Sequence, residues 1–201
     1  MNRINKPSAI RSVAIALSLT LAACNGAAPA EEPPLAGASI GGDFTLTNSK
    51  GETVRWGDFA GKYRIVYFGY TFCPDICPTD MQRVAQGLKE LKAADPDKAG
   101  KIVPIFITID PDRDTQAVVG EFAAAFSPDI VGLTGTPEQI AATAKTFKVF
   151  HAKGETQPGG GYLVDHSNIV YLFGPDGAPI ATLPTDKGAK AVAAELDRWV
   201  S

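Results

Sequence analysis

The sequence is short of positive charge, of long apolar runs, and of sulfur and histidine. Its 201 residues include 19 Lys and Arg against 22 Asp and Glu, a net charge of −3. Nonspecific nucleic-acid binding needs a basic face, so no nucleic-acid partner is expected. The apolar run at residues 13–23 is about half of the ~20 residues that a membrane-spanning helix requires. With 45% hydrophobic residues and a mean hydropathy of +0.00, the composition is that of an ordinary globular protein.

The first 23 residues are predicted to be a signal peptide. Three basic residues and no acidic one accompany the apolar run, which ends in Leu-Ala-Ala-Cys at Cys24. This ending resembles a bacterial lipobox, which implies cleavage before Cys24 and a lipid on its sulfur. The alternative is an ordinary secretory peptide cut near Ala28 or Ala30. The lipobox interpretation places the protein on the periplasmic face of the bacterial cytoplasmic membrane, held there by a lipid anchor.

Residues 25–39 (NGAAPAEEPPLAGAS) are expected to form a tether, because a segment rich in Ala, Pro, Glu and Gly cannot bury a core. Together with the lipidated cysteine they give a linker over 24–39 and one domain over 40–201. If Cys24 carries lipid, only Cys73 and Cys77 remain in an oxidising compartment. These two thiols then pair with each other, bind a metal, or alternate between the two.

The hydrophobic pattern of the domain alternates between strands and helices. Strands are expected at 44–47, 53–56, 63–70, 101–109, 130–133, 169–173 and 178–183, and helices at 78–92, 115–126, 137–147 and 187–200. Thr136 should cap the third of these helices. This order predicts an α/β fold with a mixed sheet, preceded by an N-terminal β-hairpin.

The segment from Cys73 to Cys77 lies between a predicted strand and a predicted helix. Pro78 suits the first helical position, so Cys77 should lie near the N-cap and Cys73 in the loop before it. Because a helix N-terminus favours negative charge, both thiols are expected to ionise easily. The C-x-x-x-C spacing is one residue longer than that of C-x-x-C oxidoreductases, which suits a bridged metal as well as a disulfide.

His166 precedes the predicted strand at 169–173, and in a thioredoxin-like sheet its loop would lie beside the cysteine loop. Two thiolates and one imidazole are a ligand set for Cu(I), and for Cu(II) once a fourth donor is found. Structural zinc requires four protein ligands, and the sequence shows no fourth. Alternatively, His166 is a loop or core histidine satisfied by hydrogen bonds.

Four blocks resemble the Sco/SenC family of copper-binding thioredoxin-like proteins. They are YFGYTFCPDICPTDM, IFITIDPDRDT, EFAAAFSPDIVGLTGTPEQI and YLVDHSNIVYLFGPDG, in this order along the domain. The resemblance implies a thioredoxin-like sandwich that binds copper through Cys73, Cys77 and His166. It also implies a metallochaperone that receives copper from a periplasmic donor and matures the CuA centre in subunit II of cytochrome c oxidase.

An enzymatic function is the alternative. Some family members are thought to reduce the CuA cysteines or to act as redox sensors, which would make Cys73 and Cys77 the redox-active thiols of a thiol:disulfide oxidoreductase. The longer spacing and His166 favour metal binding. A peroxidase of the peroxiredoxin type would need a threonine–cysteine–arginine pocket, which the sequence does not show.

The remaining polar residues of interest have weaker assignments. Asp110 and Asp114 follow a strand end and either shape a partner or metal-delivery surface or cap a turn. Asp75 either tunes the thiols or caps the helix, and His151 is expected to face solvent. Met81 is expected in the core, and residues 155–161 are expected to form a flexible loop.

Overall fold

The computed structural model describes residues 1–2, 31–156 and 161–201. The chain divides into residues 1–31 and residues 32–201, and all described helices and strands lie in the second unit. All but the first two residues of the predicted signal peptide, together with Cys24, lie outside the described residues. Within the described part of the chain, no helix combines the length and the hydropathy that crossing a bilayer requires.

The described elements alternate as the hydrophobic pattern predicts. The strands are β1 (Thr45–Asn48), β2 (Thr53–Arg55), β3 (Tyr63–Gly69), β4 (Ile102–Thr108), β5 (Val131–Thr134), β6 (His151–Thr156), β7 (Tyr162–His166), β8 (Val170–Phe173) and β9 (Pro179–Thr182). The α-helices are α1 (Ile76–Ala94), α2 (Pro96–Ala99), α3 (Gln116–Phe126), α4 (Pro137–Thr146) and α5 (Ala189–Trp199), with 3-10 turns at Trp56–Phe59 and Thr185–Lys187.

Seven strands form one mixed sheet in the order β2-β1-β5-β4-β3-β8-β9. Strands β3, β4 and β5 are parallel, and the remaining pairs are antiparallel. Strand β3 is buried at all seven positions, as expected of a central strand covered on both faces. The predicted thioredoxin-like α/β fold is therefore confirmed, and the N-terminal hairpin extends the sheet by pairing β1 with β5. Thr136 caps α4 as predicted, since its hydroxyl accepts from the Gln139 N–H.

Helices α1 and α5 pack closely against each other where α1 carries a glycine. A Cβ at Gly87 would lie 2.6 Å from Cγ1 of Val192 and 3.0 Å from the carbonyl oxygen of Ala189. Only a residue without a side chain fits this approach. The contact fixes α1, whose first turn carries Cys77, against the C-terminal helix.

The fold differs from the sequence prediction at the N-terminal boundary of the domain and in having a second sheet. The N–H of Leu35 donates to the carbonyl of Ile180 at 3.0 Å, and Leu35 and Ile40 pack against the core. The packed chain thus begins several residues before 40, because the predicted tether contains the apolar side chain of Leu35. The second difference is an unpredicted two-stranded sheet formed by β6 and β7.

Candidate metal centre

Cys73 and Cys77 lie on the loop that joins the central strand β3 to helix α1. The Cys73 N–H donates to the Tyr70 carbonyl at 3.2 Å, and the Cys77 N–H donates to Cys73 Sγ at 3.4 Å. Helix α1 starts at Ile76, two residues earlier than predicted, so Cys77 lies inside its first turn. Cys73 is 9% exposed and Cys77 is fully buried. Both thiols are free, so no disulfide joins them.

The loop is held by a buried carboxylate, that of Asp114. Its Oδ2 accepts from the Thr71 N–H at 3.0 Å and from the Thr108 hydroxyl at 2.6 Å, while Oδ1 accepts from the Thr71 hydroxyl at 2.6 Å. The Asp114 carbonyl also accepts from the Thr134 hydroxyl at 2.9 Å. One residue therefore connects the C-terminal ends of β4 and β5 to the segment just before Cys73.

His166 ends strand β7 and points its imidazole at the cysteines. Its Nε2 lies 3.3 Å from Cys77 Sγ, and its Nδ1 lies 2.9 Å from the Ser167 carbonyl oxygen. A carbonyl only accepts hydrogen bonds, so Nδ1 carries the proton and Nε2 offers a lone pair to the thiol side. Metal-ligating histidines are oriented in this way by a hydrogen bond from their other nitrogen.

The predicted triad is brought together. One ligand atom from each of Cys73, Cys77 and His166 lies within 4.8 Å of the others, the only such group among the described residues. The rings of Tyr67 and Tyr70 meet the imidazole edge-on, with centroids 6.3 and 5.8 Å away. The result is a largely buried cluster of two sulfurs and one nitrogen.

The expectation that both thiols ionise easily is wrong for Cys77. Burial raises the pKa of the Cys77 thiol far above its ordinary value, and the neighbouring Cys73 thiol raises it further. Desolvation of a fully buried thiolate outweighs the favourable field at the helix N-terminus. Burial also lowers the pKa of His166, which keeps its imidazole neutral and able to bind a metal.

The hairpin of β6 and β7 is fastened to the cysteine loop through Asp110 and Arg113. The Tyr162 hydroxyl donates to Asp110 Oδ1 at 2.7 Å, and Arg113 Nε donates to Asp110 Oδ2 at 2.5 Å. Arg113 Nη1 donates to the Tyr162 carbonyl at 2.9 Å, and its guanidinium stacks 3.6 Å from the Tyr162 ring centroid and 4.8 Å from that of Phe72. Arg113 therefore bridges the hairpin that carries His166 to the residue before Cys73.

Asp110 and Asp114 do not form a partner surface. They are 5% and 0% exposed, and their carboxylates accept the hydrogen bonds described above.

Sequence reasoning missed Arg113 and Tyr162, because nothing in the sequence shows that residue 162 lies over residue 113. The run from Asp110 to Asp114 was the available signal, since clustered charges at a strand end require partners.

Four other assignments have mixed outcomes. Met81 is buried in the core as predicted. Asp75 is exposed and occupies the N-cap of α1, but its side chain makes no capping hydrogen bond. His151 is half-buried and lies directly across from His166 in the β6–β7 ladder, so its assignment to solvent is wrong. In the predicted 155–161 loop, Glu155 and Thr156 belong to strand β6 instead, and residues 157–160 lie outside the described residues.

Comparison with known proteins agrees with this geometry. The SCO1/SenC family model matches residues 32–201. The chain is 36% identical over 159 residues to the human protein SCO1 homolog, covering 78% of this chain and 52% of the human protein. It is 37% identical over 172 residues to the SCO2-like protein of Rickettsia felis, covering 80% and 81%.

Among solved structures, ScoI of Bradyrhizobium japonicum with copper bound superposes with a TM-score of 0.72 at 34% identity, covering 80% of this chain and 99% of ScoI. The chain spans about half the length of the human and Arabidopsis relatives that it matches. The family match covers the whole unit of residues 32–201, and it includes the loop and the hairpin that carry the three converging side chains. The chain belongs to the SCO1/SenC family.

Proposed function

We propose that this protein is a copper metallochaperone that binds one copper ion through Cys73, Cys77 and His166. The observation that carries the proposal is the convergence of two free thiols and one correctly oriented imidazole within 4.8 Å. Soft sulfur donors with an imidazole select Cu(I). Copper-bound structures of Bradyrhizobium and yeast relatives, each 34% identical, support copper as the cargo.

The site chemistry suits uptake and release of Cu(I). Binding replaces the protons of the two thiols, while His166 joins as a neutral ligand without releasing a proton. Two thiolates, one neutral imidazole and Cu(I) leave the site with one negative charge, which burial disfavours. A recipient with exposed thiolates and water access can therefore compete for the ion. We propose that this recipient is the CuA centre of cytochrome c oxidase subunit II, and that the donor is a periplasmic copper protein.

The experiment is a Cu(I) titration of the purified, fully reduced full-length protein under anaerobic conditions. One copper per chain is expected. The Cys73→Ala/Cys77→Ala double variant should bind none at the same chelator concentration. A Cys24→Ser variant is the matched control, because it removes the remaining cysteine and should bind like the wild type. Equal uptake by the wild type and the double variant would overturn the proposal.

A second candidate function, thiol:disulfide oxidoreductase, uses the same two cysteines. It is favoured by the short Cys77 N–H to Cys73 Sγ contact, which brings the two residues close enough for a disulfide to form after a small movement. His166→Ala separates the two functions, because an imidazole binds metal but does not exchange with thiols. We expect this variant to lose copper affinity and to retain disulfide formation between Cys73 and Cys77. Equal loss of copper affinity and of disulfide formation would point instead to a structural role for His166.

We further propose that Cys24 carries a lipid anchor that holds the domain at the periplasmic face of the cytoplasmic membrane. The support is the sequence pattern at residues 1–24. Cys24→Ser should shift the exported protein from the membrane fraction to the soluble fraction of fractionated cells. A variant that stays in the membrane fraction would show that another segment retains the protein.

A further inference from the structure

His151 is the second histidine of a chain that contains two, and it lies opposite the first. The register of the β6–β7 ladder pairs His151 directly with His166. In the neighbouring pair, the Ser167 N–H donates to the Phe150 carbonyl at 3.0 Å. Because hydrogen-bonded and non-hydrogen-bonded pairs alternate along an antiparallel ladder, His151 and His166 form a non-hydrogen-bonded pair, in which the side chains approach more closely.

Both imidazoles project from the same face of the hairpin, the face toward the sulfurs. Directly opposed residues share a face, and the His166 ring contacts Cys77 at 3.3 Å. His151 is only half-buried, so its ring has room to change rotamer.

The spacing suits one ion bound by both rings. Opposed residues of this kind have Cβ atoms about 4.5–5.5 Å apart. Histidines at positions i and i+4 of a helix, with Cβ atoms about 5–6 Å apart, bind a single zinc ion in metalloproteases. In the present structure the ring nitrogens of His151 lie outside the group of ligand atoms that Cys73, Cys77 and His166 bring within 4.8 Å of one another. To bind the same ion, the His151 side chain must rotate toward the sulfurs.

We propose that His151 is a fourth ligand that converts the three-coordinate Cu(I) site into a four-coordinate Cys₂His₂ site for divalent ions, Cu(II) and Zn(II) among them. The proposal rests on the copper site proposed above and adds to it a selection by metal charge. Two thiols lose their protons, two neutral imidazoles bind, and the complex with a divalent ion is electrically neutral. Four ligands of this type are the usual set for tetrahedral Zn(II), whereas Cu(I) is satisfied by the first three.

Co(II) is the probe, because it reports tetrahedral coordination optically and does not oxidise thiols under anaerobic conditions. The reduced full-length protein is titrated with Co(II), and imidazole N–H signals shifted by the bound ion are counted by NMR. The chain has two histidines, so each such signal can be assigned. We expect two signals and tetrahedral absorption bands in the wild type. In His151→Phe we expect one signal and a loss of Co(II) affinity of at least about tenfold.

The controls separate ligand loss from charge loss and from failure to fold. His151→Arg keeps a positive charge at this position but offers no metal ligand, so it should lose Co(II) affinity as His151→Phe does. His151→Gln should reproduce the effect of His151→Phe, and Cu(I) affinity should change less than about twofold in either variant, which also shows that the site is intact. One imidazole signal in the wild type, or Co(II) affinity unaffected by both substitutions, would overturn the role of His151. Failure of the wild type to bind Cu(I) would instead overturn the copper site itself.

Discussion

Replacing Asp114 tests the framework that holds the cysteine loop. Asp114→Ala removes three hydrogen bonds, two to Thr71 and one to Thr108, and leaves their donors without the acceptor. Hydrogen bonds to a charged group contribute about 1.5–3 kcal/mol each. Removing a buried carboxylate also removes its desolvation cost, which offsets part of the sum. The expected net loss is about 3–5 kcal/mol of unfolding free energy, similar to the loss when one member of a buried charged network is deleted.

Asp114→Asn should cost much less, because the amide can preserve all three contacts. Its oxygen, placed where Oδ2 lies, accepts from the Thr71 N–H and the Thr108 hydroxyl. Its NH₂ group, placed where Oδ1 lies, donates to the Thr71 hydroxyl, which only needs to rotate. We expect a loss below about 1 kcal/mol at neutral pH.

The difference in unfolding free energy between Asp114→Asn and the wild type also depends on pH. Burial raises the pKa of Asp114 in the folded protein above its value of about 3.9 in the unfolded chain. Between these two pKa values the folded state binds more protons than the unfolded chain. The contribution of Asp114 to the free energy of unfolding therefore falls as the pH rises through this range. Asparagine does not titrate. The stability of Asp114→Asn relative to wild type should therefore increase as pH rises from about 3 to 7.

Urea unfolding of the full-length protein at several pH values measures both effects, with Cu(I) affinity at pH 7 as a second readout. Asp114→Ala should also weaken copper binding, because Thr71 lies two residues before Cys73. Equal destabilisation by Ala and Asn would refute the hydrogen-bond reasoning. A difference between Asn and wild type that does not change with pH would refute the assigned pKa direction.

Three further outcomes are expected. Cu(I) affinity, measured against a competing chelator, should rise about tenfold per pH unit between about pH 6 and 8 through the Cys77 proton alone. Copper must displace this proton, because burial raises the pKa of the Cys77 thiol. Gly87→Ala should cost about 1–3 kcal/mol in urea unfolding through its clash with Val192, and unchanged stability would contradict the close helix packing. Tyr162→Phe should weaken metal binding without lowering the unfolding free energy by more than about 1.5 kcal/mol, because it removes the hydroxyl bond to Asp110 and keeps the Arg113 contacts. An unchanged metal affinity would contradict this.

The fold could be predicted because its central elements have strong hydrophobic patterns. Strands β3 and β4 are apolar runs, and α4 has a capping threonine followed by proline. The β6–β7 hairpin escaped prediction because it belongs to no central sheet. Its β6 residues HAKGET are all half-buried or exposed, so they show neither an apolar run nor a clear alternation. The position of His151 was missed with it.

The triad could be predicted because scarce residue types stand in a family pattern, but its electrostatics could not. The ease of ionisation expected for Cys77 was argued from its place at a helix end, which is a local property. Burial of Cys77 results from strands and the hairpin that are distant in sequence, and this burial decides the sign of the pKa shift. The functions of Asp110 and Asp114 likewise depend on Tyr162 and Thr71, contacts that span 52 and 43 residues.

The contact between Cys77 and His166 has a consequence for the whole chain, because it spans 89 residues. A metal ion held by both residues is a reversible cross-link between the first turn of α1 and the hairpin. Any ligand that binds only the folded state raises the unfolding free energy, by about 2.7 kcal/mol at a free concentration 100-fold above its Kd. Loaded and empty proteins should thus differ in their resistance to proteases, with the hairpin as the first region to open when the ion is lost. Handing over the ion would then leave a more easily degraded protein, and the lifetime of the chain would depend on its metal content.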